Sequence, residues 1–169
     1  GFNAAGVPRS DAEIYDGGTL SAATQTIPLS TSRTDHAAVL LANGKVLLAG
    51  CGWVSPAAPQ QIEVLDPSLA SVTWTGDVPI ARARPTATLL PSGSVLLAGG
   101  HAASSDVFDP LDGSLVPVQG GCDPGCTATL LPTGRVLLAG GTDGNGQGPT
   151  FDTVTIFDPR GPATRSLAP

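Results

Sequence analysis

The sequence predicts an all-β protein, and three observations carry that reading. Gly (22) and Pro (16) together make up over a fifth of the 169 residues, a density that suits many short elements joined by tight turns. No window places apolar residues at helical spacing without Gly or Pro interrupting it. Above all, one apolar hairpin is spelled three times: HAAVLLANGKVLLAGC from His36, PTATLLPSGSVLLAGG from Pro85 and CTATLLPTGRVLLAGG from Cys126.

The hairpin supplies the first two strands of each unit. Strand A runs Ala37 to Leu41, Thr86 to Leu90 and Thr127 to Leu131, and strand B runs Val46 to Gly50, Val95 to Gly99 and Val136 to Gly140. The linkers ANG, PSG and PTG carry the residues a tight turn needs, with Gly for the left-handed position. Strand B is apolar at consecutive positions, so it needs cover on both faces. Strand C follows as EIYD (Glu13 to Asp16), EVLD (Glu63 to Asp66), DVFD (Asp106 to Asp109) and TIFD (Thr155 to Asp158). Each closes on an Asp placed to accept backbone N–H groups of the next turn. Strand D is weaker, around QTIPL, VTWTG, SLVPV and TRSLA.

The hairpin glycines Gly44, Gly93 and Gly134 stand 49 and then 41 residues apart, the period of propeller blades built from four-stranded antiparallel meanders. The expected division is a C–D half unit over 1–29 and complete units over 30–79, 80–119 and 120–169. About three and a half blades are present, an incomplete propeller forming a single segment over 1–169. Three explanations stand open: a segment of a longer protein, which the absence of Met favours; completion by other chains; and a compact four-blade variant. A simple homodimer fits poorly, because each copy would bring a C–D half and neither the matching A–B half.

These residues resemble the Kelch repeat, in a bacterial form marked by TATLLPxGxVLLAGG, over essentially the whole chain. The resemblance rests on Arg33 and Arg82 leading into strand A, Gly99-Gly100 and Gly140-Gly141 after strand B, an aromatic-Asp-Pro close to strand C, and Trp74 in strand D. Cys51 replaces the second Gly of the first copy, and Asp123 stands where the third unit would carry Arg. The resemblance extends to the central domain of galactose oxidase and related copper radical oxidases, whose metal ligands are Tyr and His on loops. The one tyrosine here, Tyr15, falls at the strand-C aromatic position, where packing explains it, and His36 falls at the start of strand A, where the Kelch resemblance implies a structural His.

Charge excludes some functions. Charged residues are 13% of the chain and the net charge is −6, without the basic stripe that nucleic acid or an anionic membrane surface requires. No apolar run is long enough to span a bilayer. No Ser-His-Asp set, paired carboxylates or phosphate loop stands out. The expected role is therefore a non-catalytic binding or scaffold module with a protein or glycan partner, or with further blades, and without a cofactor. Part of a copper oxidase and a subunit that assembles with other chains are the alternatives.

In a meander the B–C and D–A connections emerge together, opposite the minimal A–B turns. Function favours variable loops on a rigid scaffold. Arg33, Asp35, Trp53, Arg82, Arg84, His101 and Asp143 are therefore expected on one binding face, with Arg33 and Arg82 better read as braces that pair with loop carboxylates or carbonyls and hold the blades together. Asp143, Asn145 and Gln147 alternate as Ca²⁺ ligands do, but Val154 occupies the twelfth position, where an EF-hand loop carries Glu, so a Gly-rich turn is expected. Cys122 and Cys126, in CDPGC, are expected to form a local disulfide, which places the chain in an extracellular, cell-surface or periplasmic setting. Cys51 is then a free thiol.

Overall fold

The computed structural model describes residues 1–15, 25–50, 61–77, 82–100, 104–142, 150–161 and the backbone of 165–167. Fourteen strands form four antiparallel sheets, with no helix among the described residues. A two-stranded sheet holds β1 (Asp11–Ile14) and β2 (Gln25–Pro28). Three four-stranded meanders follow. The first comprises β3 (Ala37–Leu40), β4 (Val46–Ala49), β5 (Gln61–Asp66) and β6 (Ser71–Asp77). The second comprises β7 (Thr86–Leu89), β8 (Val95–Ala98), β9 (Ser105–Phe108) and β10 (Leu115–Val118). The third comprises β11 (Thr127–Leu130), β12 (Val136–Ala139), β13 (Val154–Phe157) and β14 (Arg165–Leu167).

The same register recurs in every hairpin. Ala37 faces Ala49, Thr86 faces Ala98 and Thr127 faces Ala139. The turns close alike: the N–H groups of Gly44, Gly93 and Gly134 donate to the carbonyls of Leu41, Leu90 and Leu131 at 2.9–3.0 Å. Each of these glycines has φ between 81° and 92°, the left-handed conformation that ends a type I turn and re-enters the ladder. The Asp closing strand C acts as the sequence implies. Asp66, Asp109 and Asp158 accept the N–H of the residue two further on at 2.9–3.0 Å.

The sheets pack side by side, with β3 next to β7 and β7 next to β11. One apolar cluster joins Leu47, Ile62 and Val64 to Val95, Leu97 and Phe108, and another joins Leu96 and Ala98 to Val136, Leu138 and Phe157. Alternate residues of β8 therefore serve opposite neighbours, and all four are fully buried. The consecutive apolar run of strand B follows from this two-sided cover. Trp74 extends from β6 onto Phe108 of the next sheet, with ring centroids 5.1 Å apart.

Candidate functional site

The D–A connections meet the ends of the B strands at one end of the sheets, and there the repeat places charge. Arg33 is only 1% exposed. Its Nη1 donates to the carbonyl of Gly50 at 3.0 Å, and its Nη2 lies 3.2 Å from Glu63 Oε1 on β5. Arg82, 2% exposed, repeats the arrangement one sheet later. Its Nη1 donates to the carbonyls of Gly99 and Ser104 at 2.7 and 2.9 Å, while Nε and Nη2 donate to Asp106 Oδ2 at 3.0 and 2.6 Å. In both units the Arg-to-Gly span is 17 residues. A guanidinium presents a fixed fork of donors, which suits one side chain to a carboxylate and a strand-end carbonyl together.

The two pairs are not equally satisfied. No buried side-chain nitrogen or oxygen of Arg82 or Asp106 lacks a hydrogen bond, whereas Arg33 Nε, Arg33 Nη2 and Glu63 Oε2 are buried without one. Glu63 Oε1 additionally accepts the N–H of Ser30 at 3.0 Å. In the last sheet both partners change together. Asp123 takes the arginine position, and Thr155, facing Leu138 as Glu63 faces Leu48, takes the acid position. That connection instead holds the Cys122–Cys126 disulfide, with Cα atoms 6.1 Å apart. Both cysteines are buried against Leu96, Ala98 and Leu138.

Two residues past each of these positions the backbone turns left-handed, with φ of 47° at Asp35, 50° at Arg84 and 75° at Gly125. Non-glycine residues in that region are uncommon and cost energy that the surrounding fold must offset. Successive connections are also tied together, for the Gly125 N–H donates to the Arg84 carbonyl at 3.0 Å. Asp35 and His36 are exposed and Arg84 is half-buried. Arg84 has no carboxylate within ion-pair distance among the described residues. Partial desolvation of the imidazole by its neighbours lowers the His36 pKa below its usual value, and the charges of the amino terminus and Arg33 lower it further. Its imidazole is therefore neutral at pH 7.

Of the residues expected on one binding face, the structure brings Arg33, Asp35, Arg82 and Arg84 to this end, but it withdraws the Arg33 and Arg82 side chains from solvent. Trp53, His101 and Asp143, the Ca²⁺ candidates Asn145 and Gln147, and Cys51 lie outside the described residues. In the sequence Glu63 and Asp106 stand out only as part of the strand-C marker. Their signal is present in the sequence: each is an acid directly preceding the apolar residues of strand C, and both acid and arginine vanish together in the last unit.

These features define a class, an all-β chain of successive antiparallel meanders braced by buried ion pairs at one end. No family model matches the sequence, and no curated protein matches it. Among solved structures, the chain is similar to a fungal alcohol oxidase of the AA5 family in complex with copper, with a TM-score of 0.58 at 16% identity. The likeness covers 76% of this chain, which spans 29% of the oxidase's length; at that identity it shows a shared fold.

Copper sites draw on imidazole and thiolate or thioether ligands. The chain has two His, three Cys, one Tyr and no Met. No three His, Cys, Asp or Glu side chains converge among the described residues. Two of the cysteines are joined to each other, and the Tyr15 hydroxyl donates to Glu13 at 2.7 Å on an exposed strand end. The described residues do not fit a copper centre.

Proposed function

We propose that the chain is a run of Kelch-type propeller blades that serves as a non-catalytic binding and scaffold module. Its D–A and B–C connections would meet a protein or glycan partner in an oxidising, extracellular setting, to which the Cys122–Cys126 disulfide lends support. The observation that carries this reading is the division of labour at the sheet ends. Arg33 and Arg82 are buried as braces, while Asp35, His36 and Arg84 stand beside them without a structural partner of that kind. A carboxylate, a neutral imidazole and a guanidinium on successive rigid loops suit a hydroxyl-rich or charged partner better than an apolar one. No step of chemistry is assigned to them.

The similarity to the AA5 alcohol oxidase favours a second reading, in which the blades belong to a larger copper oxidase whose ligands lie outside the described residues. One pair of experiments separates the two. Screening of immobilised glycans and peptides is expected to find a saturable ligand. Its affinity should fall about tenfold or more in Arg84→Glu, with an unchanged unfolding midpoint. Stoichiometric copper uptake with alcohol-dependent peroxide release would overturn the non-catalytic reading.

A further inference from the structure

Neighbouring sheets enclose grooves that open at the hairpin-turn end, opposite the loops considered above, and the repeat relates two of them. The first lies between the β3–β6 and β7–β10 sheets, against Leu41, Val64, Trp74, Phe108 and Gly113. The second lies between the β7–β10 and β11–β14 sheets, against Leu90, Val107, Val116, Phe157 and Gly161. The strand registers make the walls correspond. Val64 pairs with Trp74 and Val107 with Val116, so Val116 holds the position of the tryptophan.

In the first groove the chain fills the space itself. The Trp74 ring lies against Phe108, and it approaches Gly113 so closely that a Cβ there would come within 2.8 Å of the indole. What remains open is about 180 Å³. In the second groove a valine replaces the indole, Phe157 replaces Phe108, and about 390 Å³ stays open. That volume falls within the roughly 300–1,000 Å³ of small-molecule sites. Val116 is 54% exposed, so the apolar wall is reachable from solvent. A second space lined by Pro91, Pro132 and Pro159 adjoins it, with Ser92 and Pro159 common to both.

We infer that this groove is a binding site for a small molecule bearing one planar aromatic ring of indole size, seated on Phe157 as Trp74 is seated on Phe108. The open space lies where the register of the preceding repeat places the Trp74 side chain. An aromatic ring prefers an offset or tilted partner at about 4.5–7 Å between centroids, the geometry that Trp74 and Phe108 adopt. Ser94 and Gln119 place oxygen acceptors on the wall, where a ring N–H can donate. The site uses none of Asp35, His36 and Arg84, so it stands or falls independently of the binding role proposed for them.

Titration of the isotope-labelled protein with indole, followed by methyl NMR, tests this directly. The expected result is saturable binding with shifts concentrated at Leu90, Val107, Val116 and Val118. Val116→Trp, which rebuilds the filled groove, should weaken indole binding about tenfold or more. Val116→Glu, a charge at an exposed position that does not threaten folding, should weaken it as well. Absence of saturation up to the solubility limit of indole would overturn the inference. So would shifts centred on Leu41 and Val64, or binding unchanged in the Val116→Glu protein.

Discussion

The two ends of each meander are held by different physics. At the hairpin end, Gly44 and Gly93 sit at positive φ with no atom within 4 Å of where a Cβ would stand, so backbone conformation is the whole of their requirement. At the loop end, a Cβ on Gly50 would meet Pro85 Cγ at 2.4 Å and the Arg82 carbonyl at 2.9 Å, while one on Gly141 would meet Asp123 Cβ at 2.6 Å. There the glycines make room for a D–A connection, that of the next unit at Gly50 and that of its own unit at Gly141. The hairpin end repeats because each turn is locally self-sufficient. The loop end varies in sets of residues, because a change at one position must be answered by its neighbours.

The sharpest way to break the comparison is to remove one charge at the loop end. Asp106→Ala leaves the Arg82 guanidinium buried without its counter-charge, a situation that typically costs about 3–5 kcal/mol. Urea denaturation should show a loss of that order with an unchanged slope. Removing both charges with Arg82→Met and Asp106→Leu should recover much of it, leaving mainly the cost of the unpaired Gly99 and Ser104 carbonyls. Glu63→Ala should cost less than Asp106→Ala, because Glu63 Oε2 and two Arg33 nitrogens already lack hydrogen bonds. Equal losses at the two sites would mean that the satisfied hydrogen bonds add nothing to the charge pairing.

Glycine substitution compares the ends by a single methyl group. Gly44→Ala meets open space and suffers only the left-handed backbone, about 1 kcal/mol. Gly50→Ala has the same backbone cost at φ 78° and must also displace Pro85 and the Arg82 carbonyl. Overpacking of that kind typically adds about 1–3 kcal/mol. A thermal unfolding midpoint lowered equally by both substitutions would show that the loop end yields as easily as the hairpin turn.

What could be read from the sequence follows the same division. The hairpins, their turn glycines and the cover on both faces of strand B were legible because they depend on local pattern and period. Strand bounds shifted by one or two residues: β9 and β13 stop at Phe108 and Phe157, leaving Asp109 and Asp158 free to accept the N–H groups of the turn. The arginines were legible as a repeated feature, but their burial was not. Their partners lie 30 and 24 residues away on strand C, and an arginine entering a strand reads alike whether it faces solvent or a carboxylate. The widened groove at Val116 escaped for a related reason. One valine in strand D carries no signal until the register sets it opposite Val107, in the place where Val64 meets Trp74.

The smallest expected effect concerns His36, at the loop end, where partial desolvation of the ring lowers its pKa and the nearby amino terminus and Arg33 lower it further. A histidine depressed in the folded state binds its proton more readily when the chain unfolds. Below about pH 6.5, the ordinary value, the unfolded chain therefore holds more protons, and stability falls as pH drops through this range and recovers above it. His36→Gln should remove that part of the slope between pH 7 and 5 and leave the steeper carboxylate-dependent loss below about pH 4 in place. The lowered pKa values of Asp66, Asp112 and Asp158 come from hydrogen bonds within their own turns, so those losses belong to the hairpin end. A slope between pH 7 and 5 that survives His36→Gln would move the titrating group away from the D–A connection.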